Sequence, residues 1–426
     1  MATSAELHER RAAAVPRGVS NATAIYAKRA KNAEIWSEDG KRYVDFGAGI
    51  AVVNTGHQHP KIVAAVEEQL MAFSHVCFQV TPYESYVRLA ERLNALAPVK
   101  GPAKTMLVST GAEAVENAVK VARAFTGRPG IVSFSGGFHG RTLMGMALTG
   151  KVAPYKAGFG PFPAEIYHAR YPNPLHGVSE ADALASIEHI FKSDVEPERV
   201  AAIILEPVQG EGGFYAASPS FAQALRTLCD KHGILLIADE VQTGAGRTGT
   251  WLACEQWGVA PDLVTMAKSM AGGFPIAAVI GRASAMDAAP AGGLGSTYAG
   301  HPLACAAALA VLKVFDEEKL LDRAKAVGAR LAAGLGELAK RHAAIKDVRA
   351  HGAMVAIEMF KNGDLHQPDA DLTKRVCAEA LKRGLILLSC GVYGNVIRIL
   401  VPLTVPDQQI DEALAILGQS FDAAQG

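Results

Sequence analysis

Two charged side chains stand where charge is costly. The run LLIAD ends in Asp239, with Glu240 next, after four apolar residues. A buried carboxylate there costs several kcal/mol unless a cation or a set of donors meets it. The apolar run LVTM is followed, two residues on, by Lys268, then by small residues and a Gly-Gly pair. A lysine so placed is either a strand-end charge in solvent or a desolvated amine of lowered pKa, ready to form a Schiff base. Alone, each residue has a plain structural explanation. As a pair on the exits of two core strands they suit a Schiff-base cofactor of the pyridoxal type, which needs a lysine on its aldehyde and an acid on its pyridinium nitrogen. Asp239 would then meet a protonated ring, whose charge offsets the cost of burying the carboxylate and lets the ring act as an electron sink.

Other stretches bear on the same chemistry. In STGAEAVENAVKVARAF, Thr110 and Glu113 have capping-box spacing before an amphipathic helix, and the free N–H groups and dipole of such a terminus favour a phosphate. SFSGGFHGRT is a second Gly-rich strand exit, whose flanking glycines are expected to expose Phe138 and His139. GAGRTG, Gly244 to Gly249, matches G-x-G-x-x-G after a strand, the pattern of a dinucleotide site. The match is weak, because Asp239 and Glu240 crowd the place of a pyrophosphate and WLACEQWG offers at most two turns of helix, so a Gly-rich turn is the better reading. His57 and His59 lack a carboxylate or third histidine at ligand spacing, which favours loop positioning over a metal.

The elements that must position these residues follow from hydrophobic patterning. KTMLVST, GIVSF, AAIILEP, ILLIAD, DLVTM and IAAVIG are continuous apolar runs separated by helical segments, the pattern of strands covered on both faces. That predicts an α/β fold with a parallel sheet wrapped by helices. After Gly300 come two long helical segments, Pro302 to Phe315 and Lys319 to His342, and then strand-like DVRA, MVAIEM, LILLSC and VIRIL, which suggest a separate α+β domain. AEIWSED and KRYVDF near the start are too little to stand alone and are expected to join it. The assignment is a large domain over 56–320 and a smaller one made of 1–55 with 321–426.

Composition narrows the partners. Lys plus Arg (42) equals Asp plus Glu (42), which removes the electrostatic footprint of a protein that tracks nucleic acid or anionic lipid. Small molecules become the expected ligands. The six cysteines are scattered without a CxxC pair, consistent with free thiols in a reducing compartment. With no apolar signal segment and no window long and apolar enough to span a bilayer, a cytoplasmic protein is expected.

With these residues in hand, the chain resembles the class III, ω-amino-acid aminotransferases of fold type I, and within them the bacterial 4-aminobutyrate aminotransferases. The likeness runs from about Arg10 to the C-terminus. It rests on NTGHQHP, SHVCFQV, STGAEAVENAVKVAR, SGGFHGRT, LEPVQGEGG, LIADEVQTGAGRTG, MAKSMAGGFP, STYAGHPLAC, GLILLSCG and VIRILVPLT. The resemblance implies pyridoxal 5′-phosphate as cofactor, with Lys268 forming the Schiff base and then shuttling a proton, and Asp239 on the ring nitrogen. It puts Phe138 and Val241 on the two faces of the ring and Gln242 beside it. The phosphate would lie on the Gly111 and Ala112 backbone N–H groups, with Thr297 reaching in from the partner subunit of a homodimer or dimer of dimers. Family members often have serine at the position of Ala112, so one hydroxyl contact would be missing.

The same resemblance gives substrate roles. Arg398 would hold the α-carboxylate of 2-oxoglutarate, and Glu211 would pair with Arg398 when the ω-amino donor is bound. Arg suits the task because its fork grips carboxylates bidentately and stays charged. Arg141 would grip the distal carboxylate, Ile50 and Gln79 would line the donor side, and Arg247 and Glu206 would support the site structurally. The implied reaction is ping-pong transfer from 4-aminobutyrate to 2-oxoglutarate, giving succinate semialdehyde and glutamate. The nearest rival donor is 5-aminovalerate, since one methylene is worth only ~1–3 kcal/mol in a pocket. More remote are a racemase, mutase or decarboxylase with the same cofactor, and an NAD-linked dehydrogenase resting on GAGRTG.

Overall fold

The computed structural model describes residues 2–425, so Met1 and Gly426, the outer ends of the range assigned to the smaller domain, lie outside the described residues. The chain forms two compact units, one from Pro60 to Ala324 and the other made of the chain up to His59 together with that from Lys325 onward. In chain order the strands are β1 (Ala27–Lys31), β2 (Glu34–Ser37) and β3 (Arg42–Asp45), then β4 (Ala103–Val108), β5 (Gly130–Phe134), β6 (Ile166–Ala169) and β7 (Val200–Leu205). They continue with β8 (Leu235–Asp239), β9 (Leu263–Met266), β10 (Ala277–Arg282), β11 (Ile345–His351), β12 (Met354–Met359), β13 (Leu385–Ile386), β14 (Leu388–Cys390) and β15 (Val396–Ile399).

The central unit holds a seven-stranded sheet in the order β4-β10-β9-β8-β7-β5-β6. From β9 to β6 the neighbours are parallel. Every residue of β5, β7, β8 and β9 is buried, the reason these strands read as unbroken apolar runs. β10 was expected to be one more parallel strand, yet it runs antiparallel to both β4 and β9. Its continuous hydrophobicity reports burial on two faces and carries no information about direction. β6, IYHA, was not anticipated. It sits at the sheet edge with His168 exposed, so only part of it shows the apolar signal.

Helix Gly111–Thr126 packs six buried residues (Ala114, Val115, Ala118, Val119, Val121 and Ala122) into the same hydrophobic cluster as β7, β8 and β10. Burying each valine is worth about 1.5–3 kcal/mol. The capping box forms as expected, with the Thr110 hydroxyl accepting from the Glu113 N–H and the Glu113 carboxylate accepting from the Thr110 N–H, and the helix ends at Gly127 in a left-handed cap.

The two-ended unit carries two four-stranded sheets, β1-β2-β3-β13 and β11-β12-β15-β14. β3 pairs in parallel with β13, Val44 opposite Leu385 and Asp45 opposite Ile386, so the first strands of the chain are completed by one of the last. Of the two long helices expected to open the smaller domain, Pro302–Glu317 belongs to the central unit, and Leu320–Arg341 begins there and continues into the two-ended unit. All six cysteines are free thiols. Among the described residues, no helix is long and apolar enough to cross a membrane.

Candidate active site

Four adjacent strands of the central sheet deliver the candidate residues at their carboxyl ends, the edge where open α/β sheets bind ligands. Asp239 closes β8, Lys268 follows β9 by two residues, Glu206 follows β7 directly, and the segment Ser135 to Arg141 leaves β5. Asp239 lies opposite Thr265 in the β8–β9 register, so the Asp239 and Lys268 exits are neighbours in one sheet. Lys268 adopts a left-handed φ of 36°, uncommon for a residue with a side chain and a mark of imposed geometry.

Asp239 is 2% exposed and already has donors. Its Oδ1 accepts from the Val241 N–H at 3.1 Å and from the Thr265 hydroxyl at 2.9 Å, and its Oδ2 lies 2.6 Å from His139 Nδ1. His139, expected at the surface, is 3% exposed, its ring held against the buried Asp239 carboxylate. Burial opposes charge on the imidazole, but the hydrogen bond to Asp239 and the Asp239 and Glu206 carboxylates outweigh it, and its pKa is raised. Glu206 is also raised, by burial first and by Asp239, although His139 and two backbone donors pull the other way. Those donors are the N–H groups of Phe138, at 2.9 Å, and Gly210, at 2.8 Å. Glu206 thus ties the β5 exit to the loop that carries Glu211. Glu240, 1% exposed, turns away to the Thr243 hydroxyl and the Cys254 N–H.

The helix that begins at Gly111 meets these strand exits without room for a side chain. A Cβ on Gly111 would lie 2.8 Å and 3.1 Å from the two Val241 methyl groups and 3.4 Å from Ala267 Cβ. A Cβ on Gly140 would fall 2.8 Å from Ala112 Cβ. So the helix N-terminus, the residue two beyond Asp239, the residue before Lys268 and the turn after Phe138 share one small volume. Glu113 takes the Ser109 and Thr110 N–H groups, whereas the Gly111 and Ala112 N–H groups are first-turn donors with no acceptor inside the helix. Gln242, 5% exposed, leans on Gly210, and its buried Oε1 has no hydrogen-bond partner among the described residues. A buried orphan of this kind points to a group the protein does not itself supply. Backbone donors at a helix start, a lysine, an acid and an orphaned amide fit a phosphorylated pyridine aldehyde.

One residue of this region gave no sequence signal. Tyr155, 8% exposed, has its ring 4.8 Å from that of Phe138, carries the Arg141 guanidinium 4.9 Å above its centroid, and donates its hydroxyl to Glu211 Oε2 at 3.3 Å. It stands between motifs, in KVAPYKAGFG, where only burial distinguishes it from an ordinary loop tyrosine.

The remaining candidates fall elsewhere. Gln79 donates to the Leu294 carbonyl at 3.2 Å and covers Gly295, next to exposed Thr297, which makes a second cluster within the central unit. Ile50 and Arg398 belong to the two-ended unit. Ile50 is 43% exposed and sits in a left-handed turn in which Ala48, Gly49, Ile50 and Ala51 have φ of 45°, 63°, 65° and 60°. Asp45 Oδ1 holds that turn through the Gly47 and Ala48 N–H groups, and its Oδ2 meets His57 Nε2 at 2.9 Å. The sequence placed no carboxylate near His57, yet folding brings Asp45 to it. Among the described residues no cluster of three or more His, Cys, Asp or Glu could hold a metal. Arg398, in β15 opposite Leu388 and Ala356, is 5% exposed. GAGRTG is a buried turn whose Gly246 abuts Phe315, and only the short 3₁₀ helix Ala253–Trp257 follows it.

Comparison with known proteins agrees in chemistry and extent. The chain is 60% identical over 425 residues to 4-aminobutyrate aminotransferase GabT of Escherichia coli, covering 100% of both. It is equally 60% identical over 420 residues to 5-aminovalerate aminotransferase DavT of Pseudomonas aeruginosa, covering 99% of each. Among solved structures, an amine transaminase from an uncultivated Pseudomonas species, in its PLP-bound form, superposes with a TM-score of 0.88 at 32% identity, over 96% of this chain and 98% of that one. The family description "Aminotransferase class-III" matches residues 14–421. On this full-length match, the chain belongs to the class III aminotransferases.

Proposed function

We propose that this chain is an ω-amino-acid aminotransferase that uses pyridoxal 5′-phosphate to move the amino group of 4-aminobutyrate to 2-oxoglutarate, giving succinate semialdehyde and glutamate. The observation that carries the reading is the close approach of Gly111 to Val241 and Ala267, which gathers an anion-binding helix start, the Asp239 strand and the Lys268 strand around one volume.

When bound, the cofactor supplies an aldehyde for the amine and an electron-withdrawing ring for the carbon next to it. The Gly111 and Ala112 N–H groups would hold its phosphate, aided by Thr297 of a second copy in a homodimer or dimer of dimers. Asp239, fixed by Thr265, Val241 and His139, holds the ring proton. Phe138 and Val241 confine the two faces, and Gln242 offers its orphaned amide at the edge. Lys268 would form the Schiff base and move the proton to and from the amine-bearing carbon of the substrate. Arg141 grips the distal carboxylate, Ile50 and Gln79 line the donor side, and Arg398 takes the α-carboxylate of the acceptor. Glu211 neutralises Arg398 when the donor offers no carboxylate there, because an unpaired buried arginine would be costly. Six free thiols support a reducing compartment, which we read as the cytoplasm.

A second donor is favoured by the equal identity to the 5-aminovalerate enzyme. The test is to mix the purified enzyme with 4-aminobutyrate or 5-aminovalerate, without acceptor, and follow conversion of the cofactor absorbance. A tenfold faster second-order rate with 4-aminobutyrate, about 1.4 kcal/mol, supports the assignment. A faster rate with 5-aminovalerate reassigns the donor, and no conversion with either defeats the ω-amino reading.

A further inference from the structure

Tyr155 lies outside every motif behind the family resemblance, yet it touches three candidate site residues at once. Its ring is packed against Phe138, the Arg141 guanidinium lies over it, and its hydroxyl reaches Glu211. Tyr155 is buried, whereas Arg141 is exposed and Glu211 half-buried. Holding a long arginine or glutamate side chain in one rotamer costs up to ~2 kcal/mol of entropy. A tyrosine already fixed by packing can hold both without moving.

We propose that Tyr155 is a positioning residue for substrate selection whose two halves act separately. The ring steadies Arg141 through a cation–π contact, and the hydroxyl steadies Glu211 through one carboxylate oxygen. The inference rests on the proposed roles of Arg141 at the distal carboxylate and of Glu211 as the partner of Arg398.

The halves separate under substitution. Tyr155→Phe keeps the ring and removes the hydroxyl. A net hydrogen bond contributes ~0.5–1.5 kcal/mol, so the preference for 4-aminobutyrate over glutamate, read as the ratio of the two half-reaction rates, falls about two- to tenfold. Binding of glutarate, an unreactive dicarboxylate, to the cofactor-loaded enzyme stays within about twofold by calorimetry, because the cation–π contact is kept. Tyr155→Leu loses both halves and weakens glutarate a further two- to fivefold, as expected for an exposed cation–π contact of ~0.5–1 kcal/mol. Tyr155→Met serves the same comparison if the leucine variant does not fold.

The decisive readout is a double-mutant cycle with Glu211→Ser. If the hydroxyl acts through Glu211, Tyr155→Phe adds no shift in donor preference on the Glu211→Ser background. Additive shifts, or a shift from Glu211→Ser with none from Tyr155→Phe, overturn the hydroxyl half alone. Equal glutarate affinity in Tyr155→Phe and Tyr155→Leu overturns the ring half. If Glu211→Ser itself leaves donor preference unchanged, the gate reading of Glu211 fails and the hydroxyl half fails with it, while the glutarate comparison still judges the ring.

Discussion

Replacing Gly111 by alanine tests whether the helix start is pressed onto the strand exits for a purpose. Gly111 does not have a positive φ, so alanine brings no backbone strain, and the lower conformational entropy of its unfolded chain should add ~0.4–1 kcal/mol of stability. Against this, the new methyl would sit 2.8 Å from one Val241 methyl and 3.1 Å from the other. Ordinary carbon contacts are ~3.5–4.0 Å, so the helix start must retreat by roughly 0.5–1 Å or Val241 must leave its rotamer, an overpacking cost of ~1–3 kcal/mol. If the Gly111 and Ala112 N–H groups hold the phosphate, most of that cost should appear in cofactor binding, as an affinity weakened about 5- to 150-fold. Titration of the cofactor-free protein by absorbance measures it, and thermal unfolding of the same protein reports the fold. Val241→Ala removes both clashing methyls, so the double variant should recover most of the loss attributable to Gly111→Ala. Unchanged affinity in Gly111→Ala, or no recovery in the double variant, would refute the reasoning.

Three further outcomes are expected. Asp239→Ala should loosen the cofactor and cut turnover by orders of magnitude, and near-normal turnover in steady-state assays would end its assignment to the ring nitrogen. His139 has a folded pKa raised above its ordinary ~6.5, so its stabilising contribution is fully present below that value and is lost as pH rises through the folded pKa. The thermal stability gap between wild type and His139→Gln should therefore shrink from pH 6 to pH 9, and parallel curves would contradict the buried ion pair. Ile50→Gly should raise the unfolding midpoint slightly, since relief of ~1–2 kcal/mol of left-handed strain exceeds the ~0.5–1 kcal/mol entropic cost of glycine. It should slow conversion of ω-amino donors at the same time; a lowered midpoint would show that the turn is not strained by Ile50.

Much of the central unit was legible because strands buried on both faces must be apolar throughout, and charges at their ends then stand out. Asp239 and Lys268 stand out in this way from the residues alone. What escaped depends on partners distant in the chain. His139 reads as an exposed loop residue until Asp239, 100 positions away, is seen to hold it. Tyr155 has no periodicity around it, and its role is visible only through Phe138, Arg141 and Glu211. β1, AKRAK, is almost wholly exposed, so no burial pattern marks it, and the direction of β10 follows from connectivity that hydrophobicity does not encode. The left-handed turn at Ala48–Ala51 is imposed by Asp45 and His57, and nothing in GAGIA beyond its glycines suggests it.

The parallel pairing of β3 with β13 also sets an order on the making of the molecule. Val44 leaves the ribosome 341 residues before Leu385, its partner in the register, a wait of roughly 17–70 s at ~5–20 residues per second. During that interval β3 has an unsatisfied edge, while the central unit, contiguous in sequence, can complete its sheet. Ile50 and Arg398 both belong to the unit finished last. On the proposed roles, a nascent chain holds Asp239, Lys268, Arg141 and Glu211 in a finished unit before Ile50 and Arg398 are in place, so its set of substrate contacts is completed only when the C-terminal segment has folded.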